Sequence, residues 1–298
     1  MKLIPRLMLL VLLCVSTRTV TLTSTSPLQT SVLATLANSM PMGSWAQLNT
    51  LGMNSSVGIG STSGNRIPFA TSGAWDRTHQ VFNFVGDDHL PAIAWHIQYT
   101  ASTNTWSATN SGMPGSHGYD NITINPTTED LYFNQWADAS NGGTTVNAKT
   151  FTGTWGLKTN FPVTMPTSVT RGVAWWKGPF QGAGSQGALL IYNDGAPGGQ
   201  ILAYDPIANS WFATIMGFGG VSTYSAVMEY NELSNLALFG SGNANAPQLW
   251  KLATNRAVTT IPNLPFGVGT TAGQGNLVAD PMNGGFLAYG GSKGLWYF

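Results

Sequence analysis

The chain has 298 residues, of which only 8% are charged, about a third of the usual share, and its 12 Lys+Arg balance its 12 Asp+Glu. Nucleic acid and acidic membrane surfaces both call for a basic patch, so this neutral chain points to neither as a partner. With 43% hydrophobic residues and 11 Trp it is not a disordered polymer, and its 36 Gly fit many short strands joined by tight turns.

From the N-terminus, Lys2 and Arg6 precede the apolar run Leu7–Val15. Nine residues are too few to span a bilayer as a helix but suit the core of a signal peptide, so export is expected. The cleavage point stays open: a segment 1–16 ends on a small residue at Ser16, and another small residue follows at Ala37. Leu13 stands where a lipoprotein would need a small residue before Cys14. Cys14 is the single cysteine, and its removal with the signal leaves no disulfide, thiolate nucleophile or Cys-ligated zinc. Residues 17–41 are rich in Thr and Ser without periodicity and read as a leader or spacer. Residues 42–298 read as one domain.

That domain repeats. "YDPIANSWFATI" (Tyr204–Ile215) aligns without a gap on "WKLATNRAVTTI" (Trp250–Ile261), and Tyr99, Asn104 and Trp106 repeat its spacing. Phe151–Thr159 is a shorter copy with Trp155, and Met42–Thr50 matches its second half with Trp45. Upstream of most copies lies a turn followed by an apolar strand, starting at Trp75, Asn125, Gly187, Tyr230 and Asp280. Asp76 to Asn125 and Asn231 to Asp280 are each 49 positions, and Asn125 to Asn231 is two units of 53. Each unit reads as four strands. A period near 40–50 residues with four strands per unit predicts an all-β, five-bladed β-propeller of antiparallel blades. The last unit ends at Phe298 before a fourth strand, while "GSWAQLN" near Trp45 reads as an orphan fourth strand. The N-terminal strand is therefore expected to complete the C-terminal blade and close the ring.

The units resemble kelch repeats, the blades of galactose-oxidase-like propellers. The resemblance rests on Gly290–Gly291 after a strand, on the turn Tyr204-Asp205-Pro206, and on the Trp six residues after Asp205, and it covers most of residues 70–298. A full double glycine occurs only in the last unit, and kelch rings more often have six or seven blades. Copper-radical oxidases of that superfamily need a Tyr–Cys crosslink, which a mature chain without cysteine does not offer.

Trp45, Trp106, Trp155 and Trp211 recur at one repeat position, which predicts packing between blades. Asn104, Asn209 and Asn255 fall in turns between third and fourth strands and suit left-handed backbone there. "NSS" at Asn54 and "NIT" at Asn121 are glycan acceptors in a eukaryotic source. Binding residues concentrate in loops on rigid scaffolds. One ring face, made of the inter-blade loops and the second-to-third-strand loops, presents Asp87, Asp88, His89, His117, Asp138, Arg171, Asn193 and Asp194 as candidate ligand-binding residues, with Lys293 beside them. Glu129, Glu229 and Glu232 fall on the opposite face. "DDH" at Asp87–His89 offers cation ligands but lacks a second dense cluster, so no metal or cofactor is assigned. Sialidase-like propellers carry SxDxGxTW boxes, whose Asp and Gly are missing from "TNTW" and "ANSW", and GxSxG, Rossmann and P-loop contexts are absent. The pattern thus predicts a secreted, non-catalytic binding module for a carbohydrate or a protein partner. The alternatives are a glycoside hydrolase using channel-mouth aspartates and a purely structural or adhesion subunit.

Overall fold

In the computed structural model, the described residues are 31–41, 44–53, 72–86, 93–114, 118, 121–135, 145–158, 171–178, 180–193, 199–218, 226–240, 248–264, 266–268, 276–289 and 294–298. Five antiparallel sheets follow one another along the chain, and within each sheet sequence neighbours are hydrogen-bonded neighbours. Blade one holds β1 (Ala74–Asp76), β2 (Val81–Gly86), β3 (Ile93–Thr100) and β4 (Thr105–Pro114). Blade two holds β5 (Ile122–Ile124), β6 (Leu131–Gln135), β7 (Thr145–Lys149) and β8 (Gly156–Leu157). Blade three holds β9 (Arg171–Trp176), β10 (Ala188–Asn193), β11 (Gln200–Asp205) and β12 (Ser210–Met216). Blade four holds β13 (Val227–Asn231), β14 (Leu236–Gly240), β15 (Leu249–Ala253) and β16 (Val258–Thr260). Blade five holds β17 (Asn276–Ala279), β18 (Phe286–Tyr289) and β19 (Leu295–Tyr297). The chain is a five-bladed β-propeller, as its repeat predicts.

Burial on both faces explains why the strands read as continuous apolar runs. In β10 every residue is buried. Ala188, Leu190 and Tyr192 share a core with Met228, Phe239 and Trp250 of blade four. Leu189 and Ile191, on the other face, share one with Tyr132 and Val146 of blade two. Similar cores join blade one to two through Val85, Ile122 and Phe133, and blade four to five through Leu238, Leu277 and Phe286. The innermost strands also approach closely. A Cβ added to Gly172 on β9 would lie 2.5 Å from the Met228 backbone nitrogen on β13, so only glycine fits that contact.

One turn chemistry recurs in five hairpins, one in each blade. The Oδ1 atoms of Asp76, Asn125, Asp205, Asn231 and Asp280 each accept from the backbone N–H two residues on, at 2.8–3.0 Å. The residue four on from each takes left-handed backbone: Gln80, Glu129, Asn209, Asn235 and Gly284, with φ of 56°, 63°, 49°, 51° and 79°. Asn104 and Asn209 are left-handed as expected, and their side chains accept from Tyr99 and Tyr204 hydroxyls at 3.0 and 2.6 Å. The expectation for Asn255 is off by one residue. There Arg256 takes φ 66°, while Asn255 accepts from the Ala257 N–H.

Three further expectations are corrected. The segment near Trp45 forms no strand with β19, and Trp45 is 91% exposed. Leu51 instead bridges Thr105 in parallel, its N–H donating to Asn104 O at 3.0 Å while its carbonyl accepts from the Trp106 N–H at 2.8 Å. Asn104 Nδ2 anchors Asn49 O and Trp106 Nε1 donates to Thr50 Oγ1, so the N-terminal segment follows the outer edge of blade one. The leader is not uniformly irregular, since Val32–Ser39 forms a helix, α1, capped by Ser31 Oγ accepting from the Ala34 N–H. Asn121 is 3% exposed, with its Oδ1 accepting from Asn134 Nδ2, and offers no site for a glycan. Asn54 and the pair Gly290–Gly291 lie outside the described residues.

Candidate functional site

The inner strands of all five blades wall a central channel of roughly 820 Å³. Its wall includes Trp75 of β1, Thr123 of β5, Trp175 of β9, Glu229 of β13 and Val278 of β17. Trp75 and Val278 are substantially exposed to it. Beside these lie the first-hairpin turns of blades one, two and four. Asp76, Glu129, Glu229 and Glu232 stand there against Arg77 and Lys177, so four carboxylates face two cations in a chain with no net charge.

Asp76, Glu129, Lys177 and Glu232 are held by their turns or by the next blade. The Asp76 carboxylate is 2% exposed, and its Oδ1 accepts from the Thr78 and His79 N–H groups at 3.0 and 2.9 Å. Its Oδ2 stands 2.7 Å from His79 Nδ1. Glu129 Oε2, from blade two, stands 3.3 Å from the same nitrogen. The His79 ring stacks on Phe151 with centroids 3.5 Å apart and planes within 2°. On the far side of the mouth, Lys177 of blade three pairs with Glu232 of blade four, and Tyr230 donates to Lys177 O at 2.8 Å. Burial, with the Glu232 charge nearby, pushes the Tyr230 phenol up to about 12, so it acts there as a neutral donor.

Another histidine belongs to packing. His96 is 2% exposed, its Nε2 lies 3.1 Å from Asn83 Oδ1, and its ring meets Trp155 edge-on at 5.5 Å. Burial, aided by the Lys149 charge, pushes its pKa down to about 3, so the imidazole is neutral.

Of the residues singled out from the sequence, Arg171 opens β9 and Asn193 ends β10, and the two are direct cross-strand partners. Asn193 is fully buried. Asp87, Asp88, His89, His117, Asp138, Asp194 and Lys293 lie outside the described residues. Glu129 and Glu232 sit in first-hairpin turns, and Glu229 lies on β13. Asp76 and Asn125 open equivalent turns 49 residues apart, a spacing that puts His79 and Glu129 in neighbouring blades without assigning them a site.

No protein-family model and no curated protein sequence matches the chain. Solved structures similar to it include two auxiliary nutrient binding proteins. One, from Bacteroides thetaiotaomicron, has 12% identity and a TM-score of 0.47, covering 76% of this chain and 58% of the other. The second, from Bacteroides ovatus, has 10% identity and a TM-score of 0.49, covering 75% and 56%. A fungal alcohol oxidase of the AA5 family, in complex with copper, has 12% identity and a TM-score of 0.48, covering 84% and 61%. The chain thus spans less than two thirds of the length of each. Among the described residues, no helix is long and apolar enough to cross a membrane.

Proposed function

We propose that this chain is an exported, non-catalytic binding propeller that takes a carbohydrate into the mouth of its central channel. The observation that carries this reading is the channel itself, roughly 820 Å³, with the exposed face of Trp75 close to carboxylates and a lysine. Sugars bind to aromatic faces flanked by fixed hydrogen-bonding groups and need no net charge on the protein. Three of the four described channel carboxylates are engaged, which supports binding over hydrolysis. Asp76 and Glu129 share one imidazole nitrogen and Glu232 is paired with Lys177, which leaves none of these three poised as a general acid. Asp87, Asp88, His89, His117, Asp138, Arg171 and Asp194 are proposed as further contacts of the same ligand, whereas Asn193 is fully buried. A protein partner is the second reading. It is favoured by the exposed apolar edge of Leu295, Trp296 and Tyr297 on the last strand and Phe298 after it.

A glycan array probed with wild type, Trp75→Ala and a triple Asp87/Asp88/Asp138→Ala variant tests the reading. Wild type is expected to bind a defined set of glycans, and loss of the Trp75 face is expected to weaken that binding about tenfold. Loss in the triple variant alone would move the site to those aspartates. Binding to no glycan would contradict the carbohydrate reading and leave the protein partner ahead.

A further inference from the structure

We propose that Asp76, His79 and Glu129 form a divalent transition-metal site at the channel mouth, bridging blades one and two. One ligand atom from each residue lies within 4.8 Å of the others. Ligands about 2.0–2.2 Å from a zinc ion lie roughly 3–3.6 Å from one another. The separations of 2.7 and 3.3 Å around His79 Nδ1 lie close to that spacing, and the Asp76 and Glu129 oxygens are within 4.8 Å of each other.

The three groups are held before any ion arrives. Backbone N–H donors fix Asp76 Oδ1, which turns Oδ2 to the cluster. Phe151 holds the plane of the His79 ring. The Glu129 N–H donates to Asn125 O at 2.8 Å, closing the turn that carries the carboxylate. A separate observation points to a cation. The channel wall to which Asp76 and Glu129 belong carries four carboxylates against two cations, and one of those cations, Lys177, is already paired. Water would complete the coordination shell of an ion held by these three atoms. One nitrogen and two oxygen donors suit Zn²⁺ or Mn²⁺ better than Ca²⁺, which takes six to eight oxygens. The site stands on these residues alone and does not depend on a carbohydrate being the ligand.

Thermal melts of the metal-stripped full chain test the proposal, with ZnCl2, MnCl2 or CaCl2 added to wild type, His79→Ala and Glu129→Gln. Zn²⁺ or Mn²⁺ at a hundredfold excess over its Kd is expected to raise the wild-type Tm by about 5 °C, with little effect of Ca²⁺. The shift is expected to vanish in His79→Ala and to shrink in Glu129→Gln. If His79→Ala does not fold, Glu129→Gln supplies the comparison. A wild type that none of the three salts shifts would overturn the site, leaving His79 as a polar bridge between two carboxylates. A full shift retained in the folded variants would overturn it as well, placing the ion elsewhere.

Discussion

At the scale of single residues, the turns are specified by pairs. In blades one, three and four a tyrosine hydroxyl reaches the side chain of an asparagine five positions on: Tyr99 to Asn104, Tyr204 to Asn209 and Tyr230 to Asn235. Each of those asparagines has left-handed backbone. Asn209→Ala removes the acceptor and puts alanine in left-handed backbone that asparagine tolerates better, and it is expected to destabilise by about 1–2 kcal/mol in chemical denaturation. Asn255→Ala, at a position that is not left-handed, is expected to cost under half of that. His96 sets an acid limit. Its folded pKa of about 3 lies below its ordinary 6.5, so the unfolded chain binds the proton first. The neutral-His96 contribution is therefore complete above pH 6.5 and is lost as pH falls towards 3, at up to about 1.4 kcal/mol per pH unit. Melting curves across pH 3–7 are expected to flatten in His96→Gln, and an unchanged pH dependence would contradict the assignment.

At the scale of elements, the strands were legible because each blade buries two faces. The runs "ALLIYN" and "LALFG" carry no alternation, and only a sheet packed on both sides accepts such a run. Trp155 and Trp211 behave as the repeat implies. Trp155 meets His96 of blade one and Phe133 of blade two, and Trp211 packs on the core shared by blades two and three. Trp106 has the same repeat position but packs on Phe82, Phe84 and Tyr99 of its own blade. Repeat spacing places a residue on a strand, whereas its partner depends on which blade stands next to that face. Trp155→Ala is expected to destabilise by about 3–5 kcal/mol. Gly172→Ala, where the β9 and β13 backbones meet, is expected to cost about 1–3 kcal/mol through overpacking. Hydrogen exchange in that variant is expected to rise first in β9 and β13.

At the scale of the whole molecule, the ring is uneven. Shared cores join blades one to two, two to three, three to four and four to five. Among the described residues no such core joins blade five to blade one, where Phe84 and Ile97 cluster with blade-one residues alone. Blade five has three strands there, and Tyr289, Leu295 and Tyr297 are more than half exposed. The repeat count correctly yields five blades, but it assigns "GSWAQLN" to the wrong edge. Spacing around Trp45 carries no information about the contacts of its neighbours: Asn49, Thr50 and Leu51 have specific partners in Asn104, Trp106 and Thr105 on blade one. Trp45→Ala is accordingly expected to leave the Tm within about 1–2 °C of wild type. The candidate site was less legible than the fold, because its carboxylates and His79 come from turns that the repeat explains as structure alone. That the ligand enters the central channel is tested most directly by plugging it. Val278 lines the channel and is 49% exposed, so Val278→Trp fills space without removing a polar contact. Binding isotherms for the strongest array glycan are expected to show at least tenfold weaker affinity in Val278→Trp with the Tm retained. Unchanged affinity in the plugged ring would contradict the channel as the site.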